Sequence, residues 1–270
     1  MEQKTLASRL QKEKRFLHFW DQKGLSKIDY ITTLATVASI SNNLSWIFFS
    51  AYQCAIRYHF NQKINATISL AVRELSDAPL KTTYDNKKKI LSLNGRKSWL
   101  VSTNVDMILL FVKLETPIRL SLNNKTSFLN SALVPIYKEK SVIRKTFEKI
   151  RILKNLSQGN LTLKNTKISA SHIFSGKKIR GFSASEQFFI MLSLAMYFVT
   201  RVKSTKLKKS FYIVVKTLIL DFNARKTLKL IVKNHKRTLI NLIHTFEQLP
   251  ERKAIINWDT DKIIFKNMLK

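Results

Sequence analysis

Little in this sequence bends, staples or acidifies the chain. Of its 270 residues, five are glycine, four are proline and one is cysteine. A single cysteine, Cys54, excludes an intramolecular disulfide and any multi-thiolate metal site. It fits a reducing compartment, so a cytoplasmic location is expected. In an apolar segment such a residue reads as a buried small hydrophobe. With so few glycines there is no loop of the kind that cradles nucleotide phosphates; the basic stretch Gly176 to Gly181 reads as a solvated loop. The five histidines show no metal-ligand spacing, so no metal is expected. The first ten residues carry charge and lack the apolar run of a signal peptide.

Acidic residues are also scarce: 17 Asp and Glu stand against 48 Lys and Arg, a formal charge of +31. Such an excess points to a polyanionic partner or to compositional drift in a chain rich in Lys, Asn and Ile, and both readings stay open. Long apolar runs are few. Tyr30 to Ile56 has no charged residue and is long enough to span a bilayer, but its Ser, Thr, Asn and Gln side chains would be costly in lipid. A buried helix pair broken near Ser41, Asn42 and Asn43 is expected instead. Phe188 to Val199 is too short to span and reads as a core helix. No transmembrane segment is expected.

What the chain does have is a change of period. Residues 1–72 read as helical: an amphipathic stretch to Trp20, a helix begun by Ser26 as N-cap, and a stripe from Leu44 to Tyr58. Residues 73–178 alternate instead. Leu91, Leu93, Trp99 and Val101 flank Asn94-Gly95, a strong two-residue hairpin signal, and Met107 to Val112 reads as a strand buried on both faces. Further strands are expected at Ile118 to Leu122, Ser127 to Leu129 and Ala132 to Tyr137. Gly159 to Ile168 reads as a pair turning at Lys164-Asn165. Residues 179–270 are helical again, with helices over Ser185 to Val202, Phe211 to Phe222 and Lys226 to Gln248, the last stopped by Pro250. The expectation is an α+β chain: an N-terminal helical region (1–72), a central antiparallel β-sandwich or barrel module (73–178) and a C-terminal helical bundle (179–270).

The pattern Leu93-Asn94-Gly95-x-Lys97-x-Trp99, followed by small residues and Asp106 before an apolar strand, resembles the middle domain of acyl-CoA dehydrogenases. Leu70 to Ala78 followed by Lys81-Thr82-Thr83 resembles a worn form of that family's flavin loop and next strand. Gly159 to Ile168 resembles its closing strand pair. The chain thus resembles a shortened, divergent member of the family. The resemblance implies an FAD cofactor, with Trp99 on the isoalloxazine ring. It puts Val101 where a Thr or Ser commonly bonds the flavin, with Ser102 following, and Arg73 where a Thr helps hold the pyrimidine. It implies an oxidoreductase acting on the CH–CH bond of an acyl-CoA-type thioester, active or degenerate, in a homo-oligomer. The departures are also clear. There is no Gln-x-x-Gly-Gly segment, and Glu247 and Glu251, the carboxylates considered for the α-proton base, sit unconvincingly at a helix end. The catalytic residues stay unassigned. The alternative is a non-catalytic scaffold whose basic surface binds nucleic acid or another anionic partner.

Overall fold

A computed structural model describes residues 12–60, 66–73, 79–122, 125–137, 139–149 and 152–268. The chain folds as two compact units. A helical unit takes Met1–Asn65, Ile150–Leu156 and Phe182–Lys270; a β-unit takes Ala66–Lys149 and Ser157–Gly181. The helices before and after the β-unit therefore build one body.

In the helical unit the described helices are α1 (Glu13–Gln22), α2 (Tyr30–Ile40), α3 (Leu44–Phe60), α4 (Phe182–Arg201), α5 (Thr205–Asn223), α6 (Leu228–Glu247) and α7 (Trp258–Met268). The break expected near residue 42 separates α2 from α3. It forms because side chains there satisfy the free backbone groups. Asn43 Oδ1 accepts from Trp46 N at 3.2 Å, Ser41 Oγ donates to the Asn43 carbonyl, and the Arg201 guanidinium donates to the Ser41 carbonyl. Ser26 is not the N-cap of α2. Asp29 caps it, accepting from Thr32 N at 2.9 Å, while Ser26 Oγ accepts from the Trp20 indole. The competing cap lies three residues later, and a carboxylate serves a helix N-terminus better than a hydroxyl does.

α3 and α4 are buried along most of their length and pack on each other, with Ser193 Oγ donating to the Ile47 carbonyl at 3.2 Å. Aromatic rings fill the space around them: Phe16 stacks on Trp46 at 4.3 Å, Phe188 on Phe222 at 5.1 Å, and Phe198 lies 4.6 Å from Phe246. Each such pair contributes about 0.5–1.5 kcal/mol beyond the area it buries. α4 with the short turn before it is, among the described residues, long and apolar enough to cross a membrane, but most of it is buried in this fold.

The β-unit holds β1 (Ile68–Ala71), β2 (Lys81–Asp85), β3 (Ile90–Leu100), β4 (Met107–Leu122), β5 (Lys125–Ile136), β6 (Val142–Thr146), β7 (Gly159–Ser169) and β8 (Phe174–Ser175). They form two four-stranded sheets, ordered β1-β4-β5-β8 and β2-β3-β7-β6. Pairing is antiparallel except between β1 and β4, which run parallel from Ile68↔Met107 to Ala71↔Leu110. Met107, Ile108, Leu109 and Leu110 are all buried, as a strand covered on both faces requires.

The two expected tight turns are absent. Asn94-Gly95 lies inside β3 and Lys164-Asn165 inside β7, and the two face each other. Leu93 pairs with Thr166 and Gly95 with Leu163, so Lys164 and Asn165 together oppose Asn94. This is a β-bulge, and it takes the same residues a hairpin takes, because both need backbone in the left-handed region. Asn165 has φ 51° and Gly95 φ 132°. The hairpin that does form joins β2 to β3, where Asp85 Oδ1 accepts from Lys87 N and Lys88 N and Lys89 takes φ 53°.

A Cβ on Gly95 would stand 2.5 Å from the Pro79 carbonyl oxygen and 2.9 Å from Leu80 Cα, both rigid backbone. Gly95→Ala is expected to cost about 1–3 kcal/mol in a urea unfolding series. Cys54 is fully buried, and burial pushes its thiol up to about 11. Ellman's reagent should leave it unmodified in the native protein and label it once the chain unfolds.

Candidate functional site

A strand presents alternate residues to opposite faces, and one inserted residue reverses the order downstream. β3 carries such an insertion. Lys97 pairs with Leu161 and Leu100 with Gly159, so Ser98 and Trp99 oppose Asn160 alone. Up to that point the odd-numbered residues face the core: Leu91, Leu93 and Lys97 are fully buried. Beyond it Leu100 is the buried one. Trp99, which shares the odd-numbered parity of Leu91, Leu93 and Lys97, is instead turned outward at φ 59° and is 40% exposed. For a bulky residue this backbone region costs on the order of 1–3 kcal/mol. The indole is held in place by its Nε1–H, which donates to Oε1 of the buried Gln158 at 3.0 Å.

The bulge frees β3 to bond the segment after β1. Ser98 N donates to the Arg73 carbonyl at 2.8 Å, and the buried Lys97 Nζ donates to the Val72 carbonyl at 3.2 Å. Arg73 is therefore brought beside the Trp99 bulge through its backbone, and it is exposed. Residues 74–78 of the worn loop lie outside the described residues. The other two expected residues are bonded within the fold. Val101 is buried and its N–H donates to Ser69 Oγ at 3.1 Å. Ser102, expected to stand in for the missing hydroxyl, is fully buried and accepts from Asn104 N. The rest of the motif is architectural. Asp106 Oδ2 accepts from Thr67 N at 2.8 Å and Thr67 Oγ1 at 2.9 Å, fixing the start of β4 against β1. Thr103 Oγ1 bonds Ser157 Oγ and Thr146 Oγ1, and Arg144 donates to the Val105 carbonyl.

Neither carboxylate considered as a base is free for that work. Glu247 is desolvated, which pushes its carboxyl up, but hydrogen bonds from Lys266, Lys262 and His244 outweigh burial and hold it below its usual range. Glu251 accepts from Lys203 N. Glu186, the one acid within α4, belongs to no motif of the sequence. It is half-buried, forms no hydrogen bond or ion pair among the described residues, and burial pushes its carboxyl up to about 7. The available signal was a lone carboxylate in an otherwise apolar helix.

No protein-family model matches the chain, and no curated protein matches it. Solved structures do. The chain superposes on FMN-bound TdsC from Paenibacillus sp. A11-2 with a TM-score of 0.63, at 11% identity, covering 99% of this chain and 89% of that one. It superposes on butyryl-CoA dehydrogenase from Megasphaera elsdenii with a TM-score of 0.59, at 10% identity, covering 98% of this chain and 92% of that one. With the HsaA monooxygenase from M. tuberculosis the values are 0.63, 10%, 99% and 87%. At these identities the likeness establishes the fold, which is acyl-CoA dehydrogenase-like.

The half-buried Glu186 carboxyl gives stability a pH dependence. Below its ordinary value of 4.5, Glu186 is protonated in folded and unfolded chains alike. From there to about 7 the folded chain keeps a proton that the unfolded chain has lost, so this residue lowers stability as pH rises through that window. Glu186→Gln should remove the effect and leave the protein more stable at about pH 8 by roughly 2–3 kcal/mol. Urea midpoints at about pH 5 and about pH 8 check it.

Proposed function

We propose that this protein is a flavin-dependent oxidoreductase acting on the CH–CH bond of an acyl thioester. The observation that carries the reading is Trp99. A strained backbone position is retained where the surroundings over-determine it, and such positions gather at ligand sites. Here the strain turns a large planar ring outward and a buried glutamine fixes its orientation. That is what stacking on a planar cofactor needs. The exposed Arg73 sits next to it in space and suits the anionic parts of a flavin nucleotide. The hydrogen bonds to the flavin implied for Val101 and Ser102 do not fit, since both residues are spent inside the fold.

When bound, flavin supplies a two-electron acceptor. The chain's own part is to hold the ring against Trp99. The structural neighbours include both a dehydrogenase and a monooxygenase. The Leu93 to Asp106 motif, which resembles acyl-CoA dehydrogenases, favours the dehydrogenase reaction. FAD is the expected form, and the small-molecule substrate is acyl-CoA-like. The withdrawn Val101 and Ser102 favour a second reading, a scaffold that has lost turnover.

The purified protein, mixed with excess FAD or FMN and desalted, should keep a visible flavin band whose fluorescence is quenched. Trp99→Leu should lose the band or restore the fluorescence. Acyl-CoA thioesters should bleach the band of the flavin-loaded wild-type protein. A colourless wild-type protein that takes up neither flavin overturns the reading.

A further inference from the structure

We propose that the outer face of α5, with the basic surface of α6, is a docking site for an anionic lipid bilayer. The inference stands apart from the flavin reading and uses none of its residues.

The buried residues of α5 are Leu207, Phe211, Val214, Val215 and Leu218, which fix the inward side of the helix. At 100° per residue the opposite side carries Lys209, Tyr212, Ile213, Lys216 and Leu220. Tyr212 is 57% exposed, Ile213 51% and Leu220 55%. Ile213 and Leu220 thus stand one above the other on the outer face, with Tyr212 to one side and the lysines between them. On α6, Leu230 is also exposed, beside Lys229 and Lys233. Residues 203–246 hold eleven Lys and Arg and one acid, Asp221. That acid is already engaged, with Lys226 Nζ at 2.6 Å and His235 Nε2 at 2.9 Å, and these bonds hold its carboxyl below the ordinary range.

Charge decides among the occupants of this face. A second copy meeting it about a twofold axis would set lysines against lysines. A nucleic acid would match the charge but offers little apolar surface to cover Ile213 and Leu220. The interface of an anionic membrane matches both features. Tyr, Ile and Leu enter the boundary between headgroups and acyl chains, while lysines reach the phosphates and carboxylates of the headgroups.

The test is sedimentation of the full chain with vesicles, either phosphatidylcholine alone or phosphatidylcholine with about one-third phosphatidylserine. Binding is expected only to the anionic vesicles and should be released by high salt. Lys209→Glu with Lys216→Glu should weaken it by at least roughly fivefold per lysine. Ile213→Ser with Leu220→Ser should weaken it by about tenfold or more, because two buried side chains are lost. All four positions are exposed, so circular dichroism should show unchanged helix content. Tyr212→Trp provides a second readout: its emission should shift to the blue on anionic vesicles and be quenched by brominated lipid. No binding to anionic vesicles overturns the proposal, as does binding that is indifferent to the Ile213 and Leu220 substitutions. So does a preference for an oligonucleotide over vesicles, or self-association abolished by those same substitutions.

Discussion

The β-unit depends on how β3 pairs with β7. Two neighbouring strands can keep a perfect ladder only if each contributes one residue per step, and here each breaks that rule once. β7 inserts a residue opposite Asn94, and β3 inserts one opposite Asn160. The first insertion lets the backbone at Gly95 approach Pro79 and Leu80. The second reverses which face is buried, places a fully buried lysine against the Val72 carbonyl, and puts a tryptophan outside. Where β3 leaves β7, Ser98 N finds the Arg73 carbonyl as its acceptor instead.

The helical unit meets a different problem, a dense apolar core within a chain of formal charge +31. Like charges spread over the surface push the folded state apart. The opposing force is the ring-filled interior around α3 and α4, together with a few buried polar groups that tie segments distant in sequence. Arg57 is one. Its guanidinium donates to the Ser26 and Ile28 carbonyls and so closes the loop between α1 and α2.

Element type was legible in the sequence wherever the hydrophobic period was long. The α3 stripe, the apolar α4 and the doubly buried start of β4 all read correctly. Register was not legible. Asn94-Gly95 and Lys164-Asn165 announced positive φ truthfully, but a bulge and a hairpin ask for the same residues, and only the pairing partner tells them apart. That confusion propagated to Trp99, whose outward direction depends on an insertion that no local pattern reveals. Glu186 was hidden for the opposite reason. Its significance is the apolar company that α4 keeps once packed, and a helix read in one dimension shows the letter without its surroundings. The parallel pairing of β1 with β4 was likewise beyond reach, since nothing in four apolar residues states a direction.

The short segment Ile150–Leu156 lies between two stretches of the β-unit yet belongs to the helical one. Its Leu153 N–H donates to Asp261 Oδ1 at 2.7 Å, while Asp261 Oδ2 accepts from Ser45 Oγ at 3.1 Å. One carboxylate thus joins chain from three distant places. On the ribosome, α1 to α3 emerge long before their partners exist, and their apolar faces wait through the synthesis of the whole β-unit. The helical unit cannot close until α7 has left the exit tunnel. Contacts of such sequence separation are slow to form and leave sticky surface exposed in the meantime. The apolar faces of α1 to α3 therefore stay uncovered the longest, while the β-unit, formed from nearer neighbours, is free to fold first.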